Sequence, residues 1–263
     1  MNPPPGGAEA TEDAFERTAR FLRGGLETIA DTVRPIDGGW LVLSPSLPVV
    51  WSLNHLRLVT PMGYREALER AEQHLAGLPF RHLVADSDAL GRSLDEPLRR
   101  HGFSVEREVV MAWTGPMQKQ ARRLPVIEAD EQAMAVIERR WYAEDARISA
   151  AAVDQMLEAA KREQRAWHER HFAIAGDNKE LAAITKLRSD GTTAQVEDVY
   201  TVPEARGRGF ASALVSHALT VAHQSGHNLV FIVADDCNWP KHLYARLGFA
   251  PVGRRWVFHQ DVR

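Results

Sequence analysis

The stretch from Gln195 to His223 leaves a chain few ways to fold. An apolar strand pattern, Gln195 to Val202, runs into Pro203-Glu204-Ala205-Arg206-Gly207-Arg208-Gly209, and a helical pattern opens at Ala211 and continues to His223. A strand that turns through two glycines directly into a helix makes an anion cradle at the junction. The first N–H groups of a helix have no partner inside it. The helix dipole adds partial positive charge at the same end, and glycine lets the main chain approach a ligand closely. Phosphate and pyrophosphate are the groups such a junction holds. Residues Arg206, Gly207, Arg208, Gly209, Phe210 and Ala211 therefore predict a site for a phosphate-bearing ligand.

Around this junction the pattern is α/β, with a mixed sheet flanked by helices, and 263 residues suit two domains. Residues 1–13 are rich in Pro, Gly, Ala and Glu and are expected to be disordered. A first domain spans 14–115. It has a helix over 14–32, strands over 39–44 and 49–58, a helix over 64–76, a strand over 81–85, a helix over 90–101 and a strand over 103–114. A polar, basic segment at 116–124 reads as a linker, and 125–263 as the second domain. In that domain helices are expected over 131–142 and 149–170, with Val153, Met156, Leu157, Ala160 and Trp167 as the buried stripe of the second. Strands over 172–175 and 181–187 flank a hairpin turn at Gly176-Asp177-Asn178. A buried strand over 229–234, a helix over 240–247 and a last strand over 249–260, ending the sheet, complete the domain. The two halves parallel one another. Val84-Ala85-Asp86, a helix and Gly102-Phe103 correspond to Val233-Ala234-Asp235, a helix and Gly248-Phe249, which suggests a duplication. The first copy has Val59-Thr60-Pro61-Met62-Gly63 where the second has its arginine–glycine turn, and Leu98 where the second has Tyr244.

A net charge of −3 with both signs mixed argues against an extended nucleic-acid surface. No apolar run reaches membrane-spanning length and no signal peptide opens the chain, so a cytoplasmic protein is expected. One cysteine, Cys237, excludes an internal disulfide and a cysteine-rich metal site, and no metal is expected. The spacing of His223 and His227 fits an exposed helix end better than a zinc site, and His168 and His171 read as a solvated helix end. Arg254-Arg255 reads as a solvated strand face, and Asn54-His55 as a solvent-facing edge strand.

Two readings compete for the glycine turn. Gly207-x-Gly209-x-x-Ser212 nearly fits a dinucleotide-binding fingerprint, and an NAD-dependent oxidoreductase would be the consequence. Against it, the third glycine is serine, and Pro203-Glu204-Ala205-Arg206 separates the strand from the first glycine. Arg206-Gly207-Arg208-Gly209-Phe210-Ala211 instead resembles in full the Arg/Gln-x-x-Gly-x-Gly/Ala loop of the GNAT N-acetyltransferases. Leu243-Tyr244-Ala245-Arg246-Leu247-Gly248-Phe249 resembles that family's Leu-Tyr-x-x-Leu-Gly-Phe helix. The resemblance covers about residues 124–260, and the whole chain looks like a tandem-GNAT protein with a degenerate N-terminal repeat.

The resemblance implies acetyl transfer from acetyl-coenzyme A to the amine of a small molecule or peptide. Backbone N–H groups from Gly207 to Ser212 would then hold the donor's diphosphate, and main-chain groups at Val199, Tyr200 and Thr201 and the side chain of Asn238 would contact the donor as well. Tyr244 occupies the family's general-acid position. A base often sits on the preceding strand, where Glu197 is the candidate and Asp198 the reserve; a structural ion pair is an equal reading of Glu197. Simple alternation would place Gln195, Glu197, Val199 and Thr201 on one side. Glu144 and Asp145 lie where family members meet the acceptor. A non-catalytic coenzyme A-binding sensor is the alternative from another class.

Overall fold

The order strand–strand–strand–helix–strand–helix–strand occurs twice. In the computed structural model, which describes residues 7–115, 124–145, 148–177 and 179–262, the first half begins with helix α1 (Gly7–Ile29). It continues through β1 (Thr32–Ile36), β2 (Gly39–Leu43), β3 (His55–Leu58), α2 (Tyr64–Leu75), β4 (Phe80–Ala85), α3 (Asp88–Arg100) and β5 (Ser104–Trp113). The second half opens with β6 (Ile127–Glu128), α4 (Glu131–Tyr142) and α5 (Ala150–Ala166). It then repeats the order as β7 (Arg170–Ala175), β8 (Leu181–Ser189), β9 (Thr193–Thr201), α6 (Phe210–Gln224), β10 (Leu229–Asp235), α7 (Pro240–Arg246) and β11 (Phe249–Asp261). Gly102 and Gly248, each with φ near +90°, stop α3 and α7 in the same way. Residues 116–123 of the expected linker 116–124, and Asn178 of the expected hairpin turn, lie outside the described residues. Among the described residues no helix is long and apolar enough to cross a membrane.

The residues form two compact units that are not contiguous in sequence. One comprises the chain up to Val110, Ala234–Lys241 and the strand residues from Pro251. Its strand order is β1-β2-β3-β4-β11-β5, with β3 parallel to β4 and β11 antiparallel to β4. The C-terminal strand thus sits in the first unit, whereas contiguous domains at 14–115 and 125–263 were expected. The physical reason is in its alternation. Trp256 and Phe258 fill the cluster built by Leu56, Leu83, Leu94 and Leu98.

Other differences in this unit are local. The helix starts at Gly7 rather than at 14, because Ala8, Glu9, Ala10 and Glu12 are good helix formers. β1 carries Pro35, which an edge strand tolerates. The expected strand over 49–58 is reduced to β3, preceded by a 3₁₀ turn at Trp51–Leu53. Asn54 accounts for this. Fully buried, it donates to the carbonyls of Leu47 and Val50 (both 2.9 Å) and accepts from the Ser44 N–H (2.9 Å). Asn54 and His55 are therefore interior residues, not a solvent-facing edge.

The other unit, Met111–Val233 with His242–Ala250, has the strand order β10-β9-β8-β7-β6. β9 and β10 are parallel and the remaining neighbours antiparallel. Alternation along β8 sends Lys186 and Arg188 towards Glu138 of α4 and Glu163 of α5. Helix α6 takes the opposite face, where the ring of His217 meets Phe172 at 4.7 Å.

Strand β9 is irregular in two places. Lys186 pairs with Glu197 but Ile184 pairs with Tyr200, so Asp198 and Val199 face the single residue Thr185 across a bulge. The parallel pairing of β9 with β10 runs only from Thr193–Leu229 to Val196–Ile232. Beyond Val196 the two strands part, and a seam opens along Glu197–Thr201.

Candidate active site

The loop after β9 is held from both ends. Val202 N–H donates to the Ala182 carbonyl (2.9 Å), and Pro203–Ala205 make one 3₁₀ turn. Gly207 and Gly209 then take φ of +77° and +83°, values that favour glycine. Gly209 is the N-cap of α6, and no side chain caps that helix. Among the described residues no acceptor meets the N–H groups of Phe210, Ala211 and Ser212, and a helix cannot supply one. A Cβ at Gly207 or Gly209 would point into open space.

The two loop arginines are held by exposed partners. Arg206 donates to the Thr201 carbonyl (3.0 Å) and to Glu144 (3.3 Å), and Arg208 grips Asp177 with both nitrogens (3.0 and 3.1 Å). Exposed ion pairs of this kind are worth about 1 kcal/mol or less, so they hold the two guanidinium groups only weakly. A cavity of about 330 Å³ adjoins the loop, lined by Arg208, Glu204, Val202, Ala182 and Asp177. Uncapped amides, left-handed glycines, two arginines and adjoining space fit the diphosphate of coenzyme A.

Glu197 sits at the last paired position before the bulge and accepts a hydrogen bond from the Gln195 side chain. Tyr244, on α7, is 6% exposed, with its ring 6.3 Å from Phe249 in an edge contact. Burial raises the Tyr244 phenol above its ordinary range, and the charge of Glu197 raises it further. Glu197 thus lies near enough to Tyr244 for its charge to act on the phenol. Asp198 is engaged elsewhere: its carboxylate lies 2.7 Å from the ammonium of Lys186.

The expected alternation of β9 is corrected here. Gln195 and Glu197 lie on the α4 side, but past the bulge it is Tyr200, not Val199 or Thr201, that faces α4. Tyr200 stacks on Trp141 (5.1 Å, 17°) and donates to Glu144. Asn238 belongs to the first unit, where its Oδ1 accepts the Trp239 N–H (2.8 Å). In the first half, the counterparts are plain. Gly63 caps α2 with an extended φ of −79°, and Leu98 is fully buried.

Sequence reasoning missed a buried ionic network on the α4 and α5 side of β8. Lys186, 1% exposed, lies 2.5 Å from Glu138, while Arg188 bridges Glu163 (2.6 Å) and Glu169 (2.8 Å). His171, expected to be solvated, is buried and bonded to Glu169 at 2.7 Å. The available signal was Glu169-x-His171 followed by Lys186-x-Arg188, opposite charges at strand spacing on neighbouring strands. Arg254 and Arg255 are likewise paired, with Asp236 (2.7 Å) and Glu108, rather than forming a solvated face. His227, instead of an exposed end, is hydrogen-bonded to the Ser189 hydroxyl (2.6 Å).

The network carries a pH expectation. Burial alone raises Glu169, but the His171 hydrogen bond and the charges of Arg188 and Lys186 overcome it and bring the carboxyl down to about 2. A depressed carboxyl stabilises the fold above its unfolded pKa, near 4.5, and that stability is lost as pH falls towards 2. Glu138 and Glu163, raised by burial, act in the opposite sense. Glu169→Gln is therefore expected to cost about 3–5 kcal/mol at pH 7 and markedly less at pH 3. Urea denaturation at the two pH values measures the difference.

Comparison with known proteins gives the family and the fold. The model of the acetyltransferase (GNAT) family matches residues 118–249, just over half of the chain. No curated protein matches it. Among solved structures, a functionally unknown conserved protein from Staphylococcus epidermidis shares 12% identity over 90% of this chain and 96% of its own, with a TM-score of 0.73. A GCN5-related N-acetyltransferase from Kribbella flavida shares 19% over 93% and 96%, with a TM-score of 0.57. A tandem GNAT protein from the clavulanic acid biosynthesis pathway shares 17% over 95% of both chains, with a TM-score of 0.53. At these identities the structural likeness carries the fold, and the family model carries the membership: the chain belongs to the GNAT acetyltransferases, which transfer an acetyl group from acetyl-coenzyme A.

Proposed function

We propose that the protein is an acetyl-coenzyme A-dependent N-acetyltransferase whose acceptor is a primary amine of a small molecule or peptide. The observation that carries the reading is one coincidence in the second unit. The uncapped glycine loop follows β9 directly, Glu197 is the last paired residue of that strand before its bulge, and the charge of Glu197 acts on the Tyr244 phenol.

The amides from Gly207 to Ser212, with Arg206 and Arg208, hold the diphosphate. The main chain at Val199, Tyr200 and Thr201 lines the seam for the rest of the donor. Asn238 is an expected donor contact on which no part of the proposal rests. Catalysis is assigned to the second unit alone, because the first copy lacks both the left-handed glycines and the phenol.

The acceptor must lose a proton to attack. A lysine-like amine, pKa about 10.4, is neutral roughly one time in 10³ at pH 7, a penalty of about 4–5 kcal/mol. Glu197 takes that proton, directly or through water. Asp198 is the poorer candidate, since Lys186 holds its carboxylate. The amine nitrogen bonds to the acetyl carbon, and the carbon–sulfur bond breaks. A main-chain N–H of β9 beyond Val196 donates to the developing oxyanion, and Tyr244 gives its proton to the departing thiolate.

The two proton transfers assist one another. Glu197 as an anion keeps the phenol protonated; once Glu197 is neutral, that cause of the raised phenol disappears and Tyr244 becomes the stronger acid. Thiol release from acetyl-coenzyme A, measured over a panel of primary amines, tests the reading. Release with at least one amine is expected. Donor binding with no turnover on any amine would instead make the protein a coenzyme A-binding sensor.

A further inference from the structure

Three non-glycine residues among those described have positive φ, and of these only Asp198, at +52°, stands inside a strand. Aspartate tolerates that conformation better than most residues but does not seek it. Something must hold it there, and the side chain within reach is that of Lys186, which pairs with the preceding residue, Glu197. Its ammonium, 1% exposed, lies 2.7 Å from Asp198 and 2.5 Å from Glu138, with Glu169 at 4.0 Å. Burying a lysine is costly unless carboxylates surround it. Here burial lowers its affinity for a proton, while Asp198, Glu169 and Glu138 together raise it well above the ordinary range, so it stays a cation. Thr185, the single residue facing the bulge, donates its hydroxyl to the Glu197 carbonyl (2.9 Å) and closes the other side.

We propose that Lys186 is a positioning residue: its buried ammonium fastens the Asp198 carboxylate and thereby holds the left-handed bulge that orients the end of β9 for acyl transfer. This rests on the N-acetyltransferase reading for its consequence, though not for its geometry. The bulge reverses the alternation of the strand. Because of it, Glu197 and Tyr200 share the α4 side, and Tyr200 reaches Trp141 and Glu144. Without it, Val199 and Thr201 take that side, and the N–H groups of that stretch reverse their direction. The role of Asp198 is then conformational. Its carboxylate is a handle for Lys186 and not a proton acceptor for the amine.

A substitution series separates these roles. Glycine adopts positive φ freely, whereas valine is strongly disfavoured there. Asp198→Gly is expected to keep at least about a third of wild-type turnover, because the bulge no longer needs its clasp. Asp198→Val is expected to lose about 100-fold in kcat, and Lys186→Met about the same, with the Kd for acetyl-coenzyme A within about threefold of wild type in each. Lys186→Met combined with Asp198→Gly is expected to regain most of the loss, a rescue that a merely structural lysine would not give.

An Asp198→Gly protein as inactive as Asp198→Val would overturn the proposal, since the carboxylate itself would then be needed. Wild-type turnover in Lys186→Met would overturn it as well. If Lys186→Met does not fold, the Asp198 pair decides alone, because it leaves Lys186 with Glu138 and Glu169. Crystal structures of Asp198→Gly and Lys186→Met give a readout independent of activity. Residue 198 is expected to stay left-handed in the first and to become extended in the second; an unchanged φ in Lys186→Met defeats the clasp even if the wild type turns over no amine.

Discussion

Gly209→Val is expected to bind acetyl-coenzyme A at least about 100-fold more weakly than the wild type while still melting cooperatively. The cause lies in the backbone. Residue 209 has φ +83° and ψ +10°, where an L-residue costs about 1–2 kcal/mol and a β-branched one more. Nothing lies within 4 Å of the added Cβ, so the protein interior does not resist the change. What resists is the turn itself, and valine relieves its strain by leaving the left-handed region. The N–H groups at the start of α6 then no longer converge. A hydrogen bond to a charged group contributes about 1.5–3 kcal/mol, so two lost amide contacts account for roughly two decades of affinity.

Gly63→Val is the internal control. It stands at the corresponding start of α2 with an extended φ of −79° and open space around it, and donor affinity there is expected to stay at the wild-type level. Wild-type affinity in Gly209→Val, measured by calorimetry, would remove the loop from the donor site.

The contrast between these two glycines shows what a sequence can disclose. The glycine turn, the helix behind it and Tyr244 four residues before Gly248 are local patterns, and local patterns survive without coordinates. The bulge does not. Glu197-Asp198-Val199-Tyr200 reads as uninterrupted alternation, since a left-handed aspartate leaves no compositional mark. Its cause lies on another strand, in a lysine whose burial is decided by α4 and β7. The same holds for His171, which looks solvated at a charged helix end and is buried beside Glu169, where Arg188 and Lys186 arrive from the neighbouring strand. The assignment of β11 to the first unit was equally hidden. Its alternation was legible, but which core Trp256 and Phe258 would enter depends on tertiary partners. Asn54 is the intermediate case. A polar residue interrupting an apolar run was visible, and only its three buried hydrogen bonds show that it shapes the turn rather than facing solvent.

Tyr244→Phe is expected to lower kcat by roughly 10²–10⁴ with little change in donor affinity. The ring stays, and with it the edge contact to Phe249 and the buried volume, so the substitution isolates the hydroxyl. The phenol is held protonated by burial first and by the Glu197 charge second, which is the state a proton donor requires. Glu197→Gln removes the second cause without touching the first. It should slow attack by the amine and also move ionisation of the phenol to lower pH, seen as an earlier alkaline fall in the pH–rate profile. In Tyr244→Phe that alkaline fall should vanish. If the two residues act in one proton circuit, their losses will not add, and the double variant should be little worse than the poorer single. Wild-type turnover in Tyr244→Phe would mean that the thiolate departs unassisted. The phenol would then be a packing group, with Glu197 acting on the amine alone.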